Sequence, residues 1–243
     1  MSTGGARSRA RGTVDIGRPP RGRVELGLRT RVIAPLICGS RGGLLDEAAA
    51  VGDEPVDLVE WRADSMVRAL AGSSFAAAPD LVGELTATAG ALLGASALPL
   101  IATVRTSSEG GAAHLDDSEY CALVASLAGM ADAVDVEIGR EGAPDLVREA
   151  QRAGARVIAS HHDFGGTPGD EELAGVLAAM NHAGADVLKI ACAPRSGGDV
   201  ARVLTAGAWA REAYDRPVIA IAMGRLGGPT RFAGAALGGA ATF

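Results

Sequence analysis

The chain has 243 residues, 48% of them hydrophobic and 21% charged, with mean hydropathy +0.19; it is long enough to bury the core of one large domain and too apolar for wholesale disorder. A net charge of −6 argues against a nucleic-acid-binding domain, and no apolar run approaches the roughly 20 residues of a membrane helix. Cys38, Cys121 and Cys192 are scattered, odd in number and without CxxC spacing, which suits free thiols in the cytoplasm better than disulfides or zinc.

Positions 1–31 carry eight Arg against Asp15 and Glu25, a local charge of +6 that leaves −12 for the rest. With its Gly and Pro content, this start predicts a flexible tail over residues 1–22 and a single domain over 23–243. Residues 23–28 read as a short strand ahead of the main pattern. Beyond them, β-branched runs predict strands at Arg31–Cys38, Asp57–Arg62, Pro99–Arg105, Ala133–Ile138, Arg156–His161, Asp186–Cys192 and Pro217–Met223. Ala/Leu-rich helical patterns lie between them, among them Asp117–Met130, Pro144–Ala153, Gly169–Ala183 and Gly198–Tyr214. Strands alternating with helices imply a parallel sheet. Seven strands, with Ala241–Phe243 as the stub of an eighth, favour a (β/α)8 barrel over a doubly wound sheet, and no GxGxxG follows the first strand.

Barrel active sites lie at the C-terminal ends of the strands, and strand side chains alternate faces. Polar residues cluster at those ends: Glu60 with Arg62, Thr103 with Arg105, Asp135 with Glu137, Ser160 with His162, and Lys189 inside Val-Leu-Lys-Ile-Ala. Five consecutive strands with ionisable groups at one end are hard to attribute to packing. Each has a structural alternative: Glu60–Arg62 as a rim ion pair, Arg105 as a strand end, Asp135 and Glu137 as partners of Arg62 or Arg105. His161 and His162, adjacent on one strand, face opposite ways, which disfavours a shared metal and makes His161 a packed or rim histidine. His114 and His182 read as surface or capping residues.

Lys189 is the sharpest feature, because the other 22 of the 23 basic residues are Arg. An ammonium is costly to bury, and burial beside other cations favours the neutral amine that attacks a carbonyl. The residues therefore suggest a Schiff-base enzyme, with His162 moving protons and the forks of Arg62, Arg105 and Arg231 suited to a carboxylate.

Together the motifs resemble those of type I 3-dehydroquinate dehydratases, from about Val32 to Phe243. Glu60-Trp61-Arg62-Ala63-Asp64 is similar to that family's E-x-R-x-D, and Arg105-Thr106-Ser107-Ser108-Glu109-Gly110-Gly111 to its R-x3-E-G-G loop. Ser160-His161-His162-Asp163-Phe164, followed by Thr167-Pro168, matches S-x-H-[DN]-F-x2-T-P. Ala185–Ala191 matches the strand bearing the Schiff-base lysine. Met223-Gly224, Gly227 and Thr230-Arg231 match M-G-x2-G-x2-[ST]-R.

The resemblance implies a dehydration of 3-dehydroquinate to 3-dehydroshikimate in the shikimate pathway. It assigns Lys189 as nucleophile, His162 as general acid/base and Glu109 as the carboxylate orienting His162. Glu60, Arg62, Arg105, Thr230 and Arg231 would bind substrate. It also implies no cofactor or metal, a cytoplasmic location and a homodimer, with neither nucleic acid nor membrane as partner. Family chains continue past the Ala-Thr-Phe strand into a covering loop and a last helix, whereas this sequence ends at Phe243. The expectation is thus a barrel with a stub as its last strand and its last helix missing, chemically complete but open to water, with apolar surface beside its first and seventh helices. Two other readings stay open: a class I aldolase-like enzyme with phosphate at the Gly-rich turn before Arg231, and a silent barrel that only binds ligand.

Overall fold

In the computed structural model, residues 12–19, 21–72 and 80–243 are described. Two short strands, β1 (Val14–Ile16) and β2 (Val24–Leu26), form an antiparallel hairpin. Eight parallel strands follow: β3 (Arg31–Leu36), β4 (Leu58–Arg62), β5 (Leu100–Thr103), β6 (Ala133–Glu137), β7 (Arg156–Asp163), β8 (Val187–Cys192), β9 (Val218–Ala222) and β10 (Ala241–Thr242). β10 pairs with β3 through Ala241–Arg31 and Thr242–Val32, and Ala240 donates its N–H to Val218 O at 2.8 Å, so the barrel is nearly closed. Around it lie α1 (Arg41–Val51), α2 (Ala63–Ala71), α3 (Leu81–Ala95), α4 (Asp117–Ala128), α5 (Ala143–Arg152), α6 (Asp170–His182), α7 (Gly197–Tyr214) and α8 (Pro229–Ala236).

The alternation of side chains along the strands sorts the core into two parts. Val59, Trp61, Leu100, Ala102, Val134, Val136 and Val157 belong to the layer between barrel and helices. Ile33, Leu58, Ile101, Ala133, Ile158, Val187 and Ile219, one from each of seven strands, form an apolar layer low in the barrel. One step higher on the same faces stand Glu60, Thr103, Asp135, Ser160 and Lys189, all buried. Another two residues up come Arg62, Arg105, Glu137 and His162. The change from apolar to charged along each strand is what gives the barrel a chemically active mouth.

Three aspartates just before strands repeat one device at the opposite rim. Asp57, Asp132 and Asp186 accept the backbone N–H groups of Val32, Leu100 and Val157 at 2.9 Å each. Each also holds an arginine: Arg31, Arg21 and Arg156. The Arg21 pair is bidentate, at 2.9 and 3.1 Å, and ties the segment between β1 and β2 to the barrel.

The folded body begins earlier than the expected boundary at residue 22. Val14, Ile16 and Leu26 are buried against the low barrel layer, so the hairpin is the floor of the barrel. The reason is local: β1, with three residues in an Arg/Gly/Pro context, carries too short an alternation to be seen, whereas β2 falls within the short strand expected at 23–28; three apolar side chains suffice to cap a narrow barrel end. The rest of the expected tail, residues 1–11, lies outside the described residues. β7 runs two residues beyond its predicted end, which brings His162 and Asp163 into register with Ala191 and Cys192. α4 stops at Ala128, with Gly129 as its C-cap.

Candidate active site

An open cleft of about 270 Å³ sits at the C-terminal ends of the strands, lined by residues that include Glu60, Arg62, Arg105, His162, Lys189 and Arg231. Lys189 Nζ, buried on β8, donates to Asp135 Oδ2 at 3.0 Å and lies 3.6 Å from Glu60 Oε1. The Phe243 ring stands 4.6 Å over the same ammonium. Carboxylates, with cations beyond them, are therefore the immediate neighbours of this amine. Thr103 Oγ1 donates to Glu60 Oε1 at 2.8 Å and fixes that carboxylate.

Asp135 is itself anchored by Arg105 Nη2 at 2.6 Å and by the Ser160 hydroxyl. Burial opposes its charge, but Arg105, then Lys189, then His162 outweigh it and hold the carboxyl far below the usual range. Asp135 thus stays ionised and positions Lys189. Arg105, also gripped by Glu137 Oε2 at 2.7 Å, is fully engaged by internal carboxylates and is held above its ordinary value by Asp135 and Glu137 against its burial.

His162 Nδ1 lies 2.9 Å from Glu137 Oε2, and the His162 backbone N–H donates to Oε1 at 3.2 Å. Because a carboxylate only accepts, Nδ1 carries a proton, and in the neutral ring Nε2 holds the lone pair. Burial, then the Arg105 charge, lowers His162 below the ordinary imidazole value, with Glu137 pulling the other way. Glu137 is held down to about 2: burial raises it, but hydrogen bonds from His161 and His162 and the charge of Arg105 prevail.

Across the cleft, Arg62 forks onto Asp64 at 2.8 and 3.0 Å, and Asp64 accepts the Ala112 N–H at 2.9 Å. That contact seats the loop after β5 against α2. At Gly111 a Cβ would fall 1.9 Å from Arg105 O, so the loop can fold back this tightly only with glycine. Gly227 does the same for the turn before α8, where a Cβ would fall 1.8 Å from Ala222 O. Arg231 then reaches the cleft from α8. Its Nε and Nη1 donate to the backbone oxygens of Phe243 and Ala222 at 3.3 and 3.4 Å, and it makes no ion pair among the described residues.

The comparisons with known proteins agree with this geometry. The profile of the family described as type I 3-dehydroquinase matches residues 32–243. The chain belongs to that family. The 3-dehydroquinate dehydratase of Klebsiella pneumoniae subsp. pneumoniae is 37% identical over 221 residues, 88% of this chain and 84% of that protein. The crystal structure of 3-dehydroquinate dehydratase from Geobacillus kaustophilus has 33% identity and a TM-score of 0.81, covering 90% of this chain and 84% of that one. The type I 3-dehydroquinate dehydratase from Clostridium difficile, solved with covalently modified comenic acid, has 28% identity and a TM-score of 0.84, covering 96% and 90%.

Three expected roles within the type I 3-dehydroquinase site are revised by the geometry. Glu109, expected to orient His162, instead accepts from Arg140 Nε at 2.7 Å and lies 3.7 Å from Arg105. Burial and then the nearby Glu137 charge raise its pKa, against the pull of Arg140. Glu137 takes the orienting place, because Glu137 and Ser160 are register partners on β6 and β7 and His162 stands two residues further on. Thr230 does not line the cleft: its hydroxyl donates to Gly227 O at 2.8 Å and accepts the Ala222 N–H at 3.3 Å, so it holds the turn beneath Arg231. Arg105 lines the cleft but has its donors on Asp135, Glu137 and Ser160, which leaves Arg231 as the better carboxylate partner.

Arg140 was not expected from the sequence. It follows β6 by three residues and joins Glu109 to Asp117 at 2.7 and 2.6 Å, stacked 4.6 Å from the Tyr120 ring. Nothing in its Gly-Arg-Glu-Gly context signals that reach. Val32, Phe232 and Leu237 are exposed large hydrophobics, at 39%, 83% and 45%.

Proposed function

We propose that Lys189 and His162 carry the dehydration of 3-dehydroquinate to 3-dehydroshikimate, the carbon–oxygen lyase reaction of the type I family in the shikimate pathway. The observation that supports this assignment is a buried lysine amine on Asp135, in the same cleft as a Glu137-held imidazole and Arg231, which makes no ion pair with an Asp or Glu side chain among the described residues.

The steps follow from those groups. The substrate carboxylate pairs with Arg231, whose fork meets no Asp or Glu side chain among the described residues. Lys189, once deprotonated, attacks the C3 ketone, and the carbinolamine loses water to give an iminium ion. That cation acidifies the neighbouring C2 proton by accepting its electron pair. His162 takes the proton at Nε2, and the resulting enamine expels the C1 hydroxyl, which His162 protonates as it leaves. Water then hydrolyses the imine and restores Lys189. One water is released and one consumed around the imine, so the net product is a single water. Glu60 and Arg62, which line the same cleft, meet substrate hydroxyls. Asp135, kept ionised by Arg105, stabilises the cationic nitrogen throughout.

The reading further carries a homodimer and a cytoplasmic location, which light scattering and cell fractionation test. The assignment of Lys189 is tested by Lys189→Arg. The positive charge beside Asp135 is retained but the amine chemistry is gone. Turnover, followed by the ultraviolet absorbance of the conjugated product, is expected to fall by about 10³-fold or more; activity within tenfold of the parent chain contradicts the assignment.

A further inference from the structure

His161 stands outside the cleft, on the far side of the carboxylate that holds His162. Its Nδ1 lies 3.5 Å from Glu137 Oε1, while His162 Nδ1 lies 2.9 Å from Oε2. Adjacent residues on a strand were expected to diverge, and at the end of β7 they do: His162 faces the cleft and His161 a separate cavity of about 310 Å³. That cavity is lined by Ser108, Glu109, Asp117, Gly139 and Arg140 besides Glu137 and His161. The His161 side chain is 25% exposed against 10% for His162. One buried carboxylate therefore links a sheltered imidazole to a wetter one.

We propose that His161 is a positioning residue that tunes the basicity of His162 through Glu137. When His161 is protonated, it draws part of the Glu137 charge toward Oε1. His162 then feels a weaker anion and remains a neutral base. When His161 loses its proton, the full Glu137 charge falls on His162 and stabilises the imidazolium. The two rings thus titrate as a coupled pair around one carboxylate.

The surrounding charges fit this. His161 faces Glu137 from β6, Asp163 from its own strand and Glu172 from α6, and the Glu137 hydrogen bond raises its pKa against burial. Glu137 also meets Arg105, two residues beyond β5, which with Ser160 fixes Oε2. Glu109 faces the same carboxylate, with its own charge largely taken up by Arg140. The site motif Ser160-His161-His162 puts a second titratable ring where the family pattern leaves the residue open.

The proposal rests on His162 as the acid/base, but its deciding readout, a titration midpoint, does not depend on turnover. The C2 proton resonances of the four histidines, assigned by single substitutions, give the titration midpoint of His162. In His161→Gln, which keeps a hydrogen-bond donor without the charge, the midpoint is expected to rise by about half a pH unit, and the titration to become a single step. The acid limb of kcat/KM should move up with it. His161→Lys, which restores a cation, should return the midpoint toward its original value. An unchanged or lowered midpoint in His161→Gln overturns the proposal, as does a His161→Lys variant that behaves like His161→Gln. His161→Asn provides the same readout should the glutamine variant fold poorly. Borohydride trapping at Lys189 does not depend on His161, so loss of this coupling leaves the Schiff-base reading standing.

Discussion

Glu137 accepts from Arg105, from the ring of His162 and from the His162 backbone, and its second oxygen faces His161. Its negative charge raises the His162 pKa against burial and Arg105. Glu137→Gln removes that contribution, so the acid limb of the rate profile should move to lower pH while the plateau rate falls, by about tenfold or more. A limb that stays in place in this variant removes Glu137 from its role. Lys189 and His162 were legible in the sequence because each is an ionisable residue late in an apolar run, flanked by residues that must face the helices. Which carboxylate holds His162 was not legible. Glu109 and Glu137 are both candidates by type and position, and the choice falls to Arg140, which crosses from the turn after β6 and takes Glu109. Arg105 illustrates the same limit: its place at a strand end was readable, but the saturation of its donors depends on three side chains from two other strands.

At the level of elements, the seven long strands stand out because fully buried parallel strands are short, β-branched and bounded by turn residues. The floor hairpin is only half legible: β2 lies within the short strand expected at 23–28, but β1 has three residues and sits among arginines and glycines. Its contribution is nonetheless integral: Ile16 is 0% exposed beneath the low barrel layer. Ile16→Ala should therefore cost about 2–4 kcal/mol by denaturant unfolding, from lost burial and the cavity left behind. A change below about 0.5 kcal/mol means that the hairpin does not seal the barrel. The loops carrying Gly111 and Gly227 belong to this scale too. Each must pass within contact of the carbonyl at the end of the preceding strand, which is why glycine recurs there in the motifs.

For the whole molecule, stacking charged layers above an apolar one makes stability depend on acid. Asp135 and Glu137 have pKa values below their unfolded ones, so the native state binds fewer protons than the unfolded chain as pH falls through the carboxylate range. Their stabilisation is fully present above about pH 5 and is lost progressively toward about pH 2. Glu109, raised by burial and Glu137, works in the opposite sense and offsets a part of this. The melting temperature should thus fall as pH drops from about 5 to about 3, and fall less steeply in Glu137→Gln. An equal slope in both proteins contradicts the assignment of that acid sensitivity to the barrel mouth. The low apolar layer is what permits the arrangement, by walling the buried charges from the floor while the cleft above stays open to substrate.

Imine formation at Lys189 carries the proposed reaction. It is tested most directly by incubating the chain with 3-dehydroquinate, reducing with borohydride and mapping the adduct by mass spectrometry. A single modified residue, Lys189, is expected in the parent chain. In His162→Ala the same adduct should form although turnover falls by about 10²- to 10⁴-fold. Absence of any adduct from folded protein that turns over substrate contradicts the account.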